Sequence, residues 1–514
     1  MSMKSMKIMR NLKTDLPASL VVFLIALPLS LGISLASGAP MKAGLISASI
    51  GGIVVGLLTG APLQVSGPAA GLSVMVFGFI QKFGFDVTCV ITIIAGLTQL
   101  LFGFLGAAQL AFVISPAVIH AMLAGIGILI ALGQVHVLLG FGPKSSALLN
   151  MAGYPDSLTH MNTSAAMLGL FSLAVLFCWN KWVQKKIPVI PGSLVAVVTG
   201  TLLGIFSHAD VPHVQIGTQL FDGMSSLKMG DVPVWELIVS GLGLALVASA
   251  ESLLCAVATD KLHSGPRVNL GKELVAQGVG NTLAGFIGGL PITGVIVRSS
   301  ANVSAGAKSQ ISSVLHGVWI LVFAVFFTPV LNQIPLAVLA ALLIYTGVKL
   351  VKIAEVKKLM AYQETLVYFA TLLGVVFINL LWGIGIGFGL AAVLMVARMA
   401  KFQFQNELDK DKKVARVDIS GNLTFLAVPK LLKQLNALPK KYEVQMSLQV
   451  DHLDHSVVEA MHDWKQNYEK DGGKVIKASL VDLWKDLKTP EVNRRKPKPK
   501  YFKPQEHSIS EISL

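Results

Sequence analysis

The segment Gly285–Gln310 reads GFIGGLPITGVIVRSSANVSAGAKSQ and lies between long apolar stretches of the chain. Gly, Pro, Ser and Thr interrupt it more often than a membrane-spanning helix requires. We predict a short half-helix that begins near Thr293 and presents its N-terminal amides to a cavity within the membrane. Free N–H groups and the positive end of a helix dipole attract anions. Arg298 would add a full positive charge where a cation costs roughly 2.5–3.5 kcal/mol, so the segment predicts an anion site inside the bilayer.

The composition is that of a membrane protein. Of 514 residues, 53% are hydrophobic and 14% are charged, whereas soluble chains contain about 25% charged residues. The net charge of +14 does not predict nucleic-acid binding, because the basic residues are spread over short loops and the C-terminal tail. Cys89, Cys178 and Cys255 lack the spacing of a zinc site or a disulfide framework. We therefore expect packing cysteines, no metal, no cofactor and no cleavable signal peptide.

We predict about fourteen apolar segments, most of them long enough to cross a bilayer core of about 30 Å. They lie near residues 16–37, 41–60, 65–80, 87–106, 112–139, 163–180, 189–206, 234–257, 271–289, 293–304, 310–330, 334–351, 362–380 and 382–400. An even number places both termini on one side. Most Lys and Arg residues lie in the N-terminal piece 1–14, in the loops 181–186, 261–267 and 349–358, and after Arg398. The positive-inside rule therefore predicts a multi-pass protein of the cytoplasmic (inner) membrane with both termini in the cytoplasm.

Two of these segments, 65–80 and 293–304, are short and broken by Gly and Pro. Each is third in its half if the chain divides after the seventh segment. Broken segments at corresponding positions are typical of the binding site of an inverted-repeat transporter. Since seven is odd, the second half would be inserted upside down. We predict an all-α polytopic membrane protein of seven-plus-seven inverted repeats, in which the N-termini of two half-helices converge near the midplane.

Glu251 is the other ionisable group expected within the membrane, near the middle of the segment LALVASAESLLCAVATD. One interpretation is a buried structural acid that bonds a neighbouring carbonyl. The other is a group that faces the substrate cavity and either takes up a proton during transport or balances Arg298. A low-dielectric environment favours the protonated carboxyl, and a nearby cation opposes that effect. Asp260, at the end of the same segment, is expected to be a solvated loop acid.

These residues resemble the sulfate permease (SulP) transporters, whose animal relatives are the SLC26 anion exchangers. The resemblance covers most of the membrane part, in the family's order. Its motifs are QVSGPAAG at 64–71, ESLL at 251–254, NLGKELVAQGVGN at 269–281, GGLPITG at 288–294 and RSSANVSAGAKSQ at 298–310.

The resemblance implies a core domain and a gate domain, transport by an elevator-like motion of the core, and a homodimer. It places a small inorganic anion between the third and tenth segments. The residues that it implies for anion binding are Ser66, Gly67, Ala69, Ala70, Val297, Arg298 and Ser299. Glu251 would be the ion-coupling residue.

The chain departs from the family pattern at two positions. Many relatives carry glutamine after the proline of the first segment, whereas Leu29 follows Pro28 here. Sodium-coupled bicarbonate relatives carry Asp where this chain has Glu251, and Thr where it has Cys255. A thiol is a poor ligand for sodium, so these residues favour coupling to H+ rather than to Na+.

The composition changes after Arg398, where strand-like and helical patterns alternate. The division predicted from the sequence is a membrane domain over 1–405, a small α/β STAS-like domain over 412–488 and a disordered basic tail over 489–514. Asp454 and Ser456 match the loop that is phosphorylated on serine in related signalling domains, but capping of the following helix is the interpretation that we favour.

Other patterns receive structural interpretations. The stretch WGIGIGFGL at 382–390 lacks the glycine spacing of a phosphate loop and predicts close helix packing. His120, His136 and His316 lie in or near segments, and packing is favoured over proton relay for each. The sequence contains no nucleophile–base pair or paired carboxylate, so we predict that the chain is not an enzyme.

The predicted function is secondary transport of a small oxyanion, bicarbonate or sulfate, with H+ as the co-substrate. An anion exchanger and a sodium-coupled bicarbonate symporter remain alternatives. A nucleobase permease fits less well, because a neutral substrate does not need Arg298. A transporter-like sensor, which binds an anion without moving it, is a further alternative.

Overall fold

A computed structural model describes residues 3–106, 115–144, 146–187, 190–217, 232–361, 364–399 and 401–477. The predicted basic tail 489–514 and the end of the predicted C-terminal domain lie outside these residues. By its contacts the chain divides into two units, Met1–Ala391 and Ala392–Leu514.

The first unit is built almost entirely of helices. Its elements are α1 (Met3–Ala36), α2 (Met41–Ile50), a π-helical turn (Gly51–Val55), α3 (Gly56–Leu58), β1 (Ser66–Pro68), α4 (Ala70–Phe83), α5 (Phe85–Phe104), α6 (Pro116–Leu138), α7 (Ala147–Thr159), α8 (Thr163–Cys178), a second π-helical turn (Trp179–Val183), α9 (Gly192–Phe206), α10 (Val234–Asp260), α11 (Leu270–Ile287), β2 (Ile292–Gly294), α12 (Ile296–Ser304), α13 (Ile311–Phe326), α14 (Thr328–Leu331), α15 (Leu336–Leu350), α16 (Ile353–Ala361), α17 (Thr365–Phe377) and α18 (Leu380–Met399), the last of which continues into the second unit.

Among the described residues, seven helices have the length and apolarity needed to cross a bilayer. These are Asn11–Ala36, Met41–Leu58, Phe85–Phe104, Pro116–Leu138, Thr163–Val183, Val234–Asp260 and Leu336–Lys357. Helices that are shorter or less apolar occupy the other predicted segments, so each predicted segment coincides with a helix. The sequence did not predict α7, whose polar and proline-containing sequence begins after the cap Ser146.

The two interrupted segments have the same local structure. In each, a three-residue strand precedes a short helix: β1 leads into α4, and β2 leads into α12. The strands pair antiparallel, with Ser66 opposite Gly294 and Pro68 opposite Ile292. Thr293 therefore lies in a strand, and the prediction that the second half-helix begins there was wrong, because the pairing with β1 holds this residue extended. The helix begins at Ile296.

Small residues allow helix backbones to approach closely. A Cβ at Gly278 of α11 would lie 2.7 Å from the backbone nitrogen of Leu100 in α5. In the stretch 382–390, a Cβ at Gly383 would lie 2.5 Å from the Val375 side chain, and one at Gly387 would overlap the Thr371 hydroxyl. Close packing was thus correctly predicted for these two glycines.

The second unit has an α/β architecture. It contains β3 (Phe402–Asp409), β4 (Val414–Leu423), a 3₁₀ turn (Phe425–Ala427), α19 (Val428–Asn436), β5 (Glu443–Leu453), α20 (His455–Lys470) and β6 (Lys474–Lys477). The sheet order is β3-β4-β5-β6, with β3 antiparallel to β4 and the other pairs parallel. The parallel pairs require crossovers, which α19 and α20 provide. Their apolar faces pack on the sheet through Leu431, Val457 and Trp464. The sheet begins at Phe402, before the predicted boundary at 412.

Asp454 occupies the N-cap position of α20, but its side chain does not cap the helix. Its Oδ2 instead accepts a hydrogen bond of 2.7 Å from the backbone N–H of Phe425. Ser456 is exposed in the first turn of the helix. The favoured capping interpretation was therefore wrong, because the carboxylate ties two loops of the domain together.

Candidate functional site

The N-termini of α4 and α12 form the centre of the site. The N-cap residues are Ala69 and Val295, and neither makes a side-chain capping hydrogen bond. The first N–H groups of a helix have no partner within the helix. Both half-helices therefore present uncapped amides at the ends of the β1–β2 ladder, where the positive ends of their dipoles favour an anion.

Side chains from neighbouring helices hold the ladder in place. Asn281 of α11 donates to the carbonyl of Ile292 at 2.9 Å and accepts from the N–H of the same residue at 2.6 Å. Ser252 of α10 accepts from the N–H of Gly294 at 3.2 Å. These backbone groups of β2 thus have hydrogen-bond partners inside the protein, and the bonds hold the strand in place beside the half-helices.

The two serines that were predicted to bind the anion, Ser66 and Ser299, form hydrogen bonds to groups of the protein through their hydroxyls. Ser299 accepts from the Val65 N–H at 2.9 Å and donates to the Val295 carbonyl at 2.8 Å. Ser66 accepts from the Gln277 side chain at 2.7 Å. Both residues connect the half-helices to their surroundings, so in this conformation their side chains brace the site.

The other predicted contacts are of backbone type. Ala69 is buried and Ala70 half-buried directly at the start of α4. Val297 lies in the first turn of α12, and its side chain is 51% exposed. At these three positions only the backbone amides have the chemistry to bind an anion.

Arg298 is the buried charge of the site. Its side chain is fully buried, and Nη2 donates to the hydroxyl of Ser30 on α1 at 3.1 Å. Nε and Nη1 have no hydrogen-bond partner. A Cβ at Gly67 would overlap Nη1, so this glycine admits the guanidinium. Arg298 is the third residue of α12, closer to the helix N-terminus than predicted, and its charge adds to the dipole there.

Glu251 approaches from α10 on the side of α4. A Cβ at Gly71 would overlap its Oε1, and the Thr293 hydroxyl interacts with the carboxyl group. Its Oε2 is buried without a hydrogen-bond partner. Among the ion pairs of the described residues, none joins Glu251 to Arg298. The two groups therefore occupy the same region without pairing.

Leu29 and Cys255, the residues at which the chain departs from the family pattern, are both buried. Leu29 is buried with 8% of its surface exposed, and the next residue, Ser30, supplies the hydroxyl that meets Arg298. The Sγ of Cys255 lies 3.6 Å from the Ser299 hydroxyl and 3.9 Å from the Thr259 hydroxyl.

Sequence reasoning missed a buried carboxylate behind β1. Glu273 of α11 is fully buried and accepts hydrogen bonds from the Thr59 hydroxyl, the N–H groups of Gly60 and Ala61, and the Gln64 and Gln277 amides, at 2.5–3.1 Å. Gln277 in turn holds Ser66. The only sequence signal was an acid within the apolar segment 271–289.

The three histidines differ in their environments. His136 is fully buried and bonds Ser157 at 2.8 Å and the Asn150 carbonyl at 3.0 Å. His120 lies 3.9 Å from Glu355 at the surface. His316 of α13 is fully buried, and both of its ring nitrogens lack a hydrogen-bond partner.

The comparisons with known proteins agree on one family. The profile described as "Sulfate permease family" matches residues 12–371. YvdB of Bacillus subtilis, whose name provisionally makes it a sulfate transporter, is 26% identical over 502 residues, 93% of each chain. The bicarbonate transporter BicA of a Synechocystis species is 28% identical over 411 residues, 77% of this chain and 71% of BicA.

Solved structures have the same architecture. The transmembrane domain of a cyanobacterial bicarbonate transporter BicA superposes with a TM-score of 0.63 at 25% identity, covering 73% of this chain and 97% of that domain. Murine Slc26a9, described as an anion transporter in the inward-facing state, gives 0.76 at 18% identity, covering 92% and 86%. At this identity the second likeness concerns the fold alone.

Proposed function

The chain belongs to the sulfate permease family, and on that premise we propose that it is a secondary transporter of a small inorganic oxyanion, bicarbonate or sulfate, coupled to protons through Glu251. It is a multi-pass membrane transporter and not an enzyme, in agreement with the named relatives.

One observation carries the proposal for the anion site. The uncapped N-termini of α4 and α12 lie at the two ends of the three-residue β1–β2 ladder, and Arg298, whose Nε and Nη1 are buried and unpaired, reaches Gly67 in that ladder. Buried donors on a cation are costly without an acceptor, and a planar guanidinium suits the oxygens of an oxyanion. A neutral nucleobase would leave this charge uncompensated, so the site favours an anion.

Glu251 is the residue that we assign to proton coupling. Its carboxyl lies against Gly71 at the start of α4, and Oε2 has no hydrogen-bond partner. Intramembrane carboxyl groups of this kind are used as proton carriers in transporters. The absence of a direct Glu251–Arg298 ion pair leaves the carboxyl free to gain and lose a proton with the anion in place.

An elevator-like motion is supported by the bonding within the site. The Asn281 and Gln277 bonds tie α11 to the β1–β2 ladder, the Ser299 bond ties α12 to Val65 just before β1, and α4 follows β1 directly in the chain. Helices connected in this way move together, so the half-helices and their anion would travel as one body relative to the rest of the membrane domain.

The remaining features of the proposal concern organisation. Fourteen helices would span or enter the inner membrane as seven-plus-seven inverted repeats, with both termini in the cytoplasm. The protein would be a homodimer, and the C-terminal α/β domain would be a STAS-like regulatory domain. The antiparallel pairing of β1 with β2 supports the inverted relationship of the two halves.

Anion exchange is the main alternative mechanism. Sodium coupling receives less support, because Cys255 places a soft sulfur beside Ser299, whereas sodium prefers oxygen ligands. A sensor would bind the anion without net flux.

The experiment is uptake of radiolabelled sulfate and bicarbonate into proteoliposomes that contain the full chain, under imposed pH or sodium gradients. Accumulation driven by an inward proton gradient supports proton symport. Flux that requires an anion on the opposite side indicates an exchanger, and dependence on sodium indicates sodium coupling. Binding without flux indicates a sensor. Uptake equal to that of protein-free liposomes, together with no anion binding, would overturn the proposal.

A further inference from the structure

The helices α12 and α13 contact each other through polar side chains beside the loop that connects them. Near the connecting loop, the Ser312 hydroxyl donates to the Asn302 side chain at 2.6 Å. Residues four apart lie on the same face of a helix. One turn farther from the loop, the corresponding residues are Arg298 on α12 and His316 on α13, and both are fully buried. The π-helical turn Gly51–Val55 lies between them, since a Cβ at Gly52 would be 2.5 Å from the Cα of Gly317, the residue after His316, and a Cβ at Gly51 would be 2.8 Å from the backbone nitrogen of Gly67, which borders Arg298.

Arg298, His316 and a neighbour of His316 carry several unpaired polar atoms. They comprise both ring nitrogens of His316, the Ser313 hydroxyl, and Nε and Nη1 of Arg298. Buried polar groups in proteins are almost always hydrogen-bonded. In this chain His136, equally buried, shows the usual arrangement, since each of its ring nitrogens has a partner. His316 therefore differs from an ordinary buried histidine, whose ring nitrogens have hydrogen-bond partners within the protein.

The hydrogen-bonding chemistry of these atoms indicates which kind of ligand could pair with them. Arg298 supplies donors only, and a neutral imidazole in either tautomer supplies one N–H donor and one acceptor nitrogen. The Ser30 oxygen already accepts from Nη2 of Arg298. Even with the second nitrogen of His316 and the Ser313 oxygen counted as acceptors, the cluster has more N–H and O–H donors than acceptors, and a small anion is a ligand that supplies several acceptor sites at once.

We propose that His316 is an anion-binding residue of the transporter, whose ring N–H donates to the small inorganic anion held by Arg298. The inference rests on the proposed function and adds to the site a residue from α13, outside the two half-helices. An oxyanion can accept from Arg298 and His316 through separate oxygens, so the histidine would help to orient it.

The test compares anion affinity in three variants of the full chain, measured by titrating purified protein with sulfate and with bicarbonate. His316→Phe keeps an aromatic ring and removes the donor, and affinity should fall about three- to tenfold, as for one neutral hydrogen bond. His316→Gln restores an N–H donor and should recover most of this loss. His136→Phe is the matched control for a buried histidine, and it should lower thermal stability while affinity stays at the wild-type value.

Unchanged affinity in folded His316→Phe protein would overturn the inference, and so would an equal loss in the Phe and Gln variants, which would indicate packing. If the Phe variant does not fold, nitrogen-15 NMR of the His316 ring in wild-type protein decides, with His316→Gln used to assign the signal. A shift of that signal on anion addition supports the contact, and an unshifted signal overturns it. Wild-type protein that binds no anion would instead remove the proposed function itself.

Discussion

Gly71 and Glu251 lie so close together that a Cβ at Gly71 would overlap Oε1 of the glutamate. The overlapping atoms are at the end of a flexible side chain, so a methyl group can be accommodated by displacing the carboxyl group. We expect Gly71→Ala to move Glu251 out of position and to abolish proton-driven accumulation while the protein folds normally. Uptake in proteoliposomes and thermal unfolding of the same preparation would test this.

Gly78 provides the control, because it lies in the same helix and a Cβ there meets no atom within 4 Å. Gly78→Ala should keep transport and stabilise the helix by up to about 1 kcal/mol. Equal transport in the two alanine variants would contradict a functional contact between Gly71 and Glu251.

Glu251→Gln tests the proton-coupling role directly. The amide keeps the shape and the hydrogen-bonding capacity of the side chain but does not ionise. We expect accumulation driven by a pH gradient to disappear, while exchange of labelled anion across the membrane stays measurable. Undiminished accumulation under an inward proton gradient would exclude Glu251 from coupling.

Arg298→Ala removes the buried charge. A charge-assisted hydrogen bond contributes about 1.5–3 kcal/mol, so anion affinity should fall roughly ten- to a hundredfold. Arg298→Lys keeps the charge but loses the planar fork, and it should restore binding of a halide better than binding of sulfate or bicarbonate. Both are measured by anion titration of folded protein.

A purely structural arginine gives a different outcome. Its replacement would lower folded yield and thermal stability, while the surviving protein would bind the anion with unchanged affinity. The hydrogen bond to Ser30 allows a matched comparison. Ser30→Ala removes one neutral partner of the guanidinium and keeps the charge, so its effect on affinity should be smaller than that of Arg298→Ala.

Glu273→Gln should destabilise the membrane domain. The Glu273 carboxylate accepts hydrogen bonds from Gly60, Ala61 and Gln64. The side-chain NH₂ of glutamine would replace one of the two accepting oxygens and would face groups that are themselves donors. Leaving a buried polar group unpaired costs about 1–3 kcal/mol, which thermal unfolding would detect. Glu236→Gln is the control, since this acid pairs with Lys82 at the surface, and it should change stability by less than about 1 kcal/mol. Equal stability of the two variants would contradict the role assigned to Glu273.

Truncation before Phe402 tests the C-terminal domain. The cut precedes β3, whose pairing with β4 a cut near Lys410 would disrupt. Each unit has a hydrophobic core of its own, so the membrane domain should remain folded. We expect lower transport activity or weaker dimerisation, measured by uptake and by light scattering. A truncated protein with wild-type flux and oligomeric state would show that the domain is dispensable for both.

The sequence by itself determined the class of the protein and the location of its half-helices. Hydropathy is a local property, so the apolar segments could be read directly, and each coincides with a helix. The breaks at Gly67 and Gly294 are local as well, since such residues interrupt a helix wherever it is placed. Arg298 and Glu251 were identifiable because a charged residue within an apolar segment is costly and therefore rare.

Only the tertiary structure decided which side chains meet. Arg298 bonds Ser30, 268 residues away in the sequence, and Glu273 bonds Thr59 across 214 residues. Such contacts depend on how helices distant in the chain pack together, and no local pattern records this. For the same reason the family motif alone did not reveal whether the Ser299 hydroxyl binds the anion or a group of the protein. In the structure this hydroxyl accepts a hydrogen bond from the Val65 N–H. His316, an ordinary member of an apolar helix in the sequence, is fully buried with both ring nitrogens unpaired, and this depends on which helices surround α13.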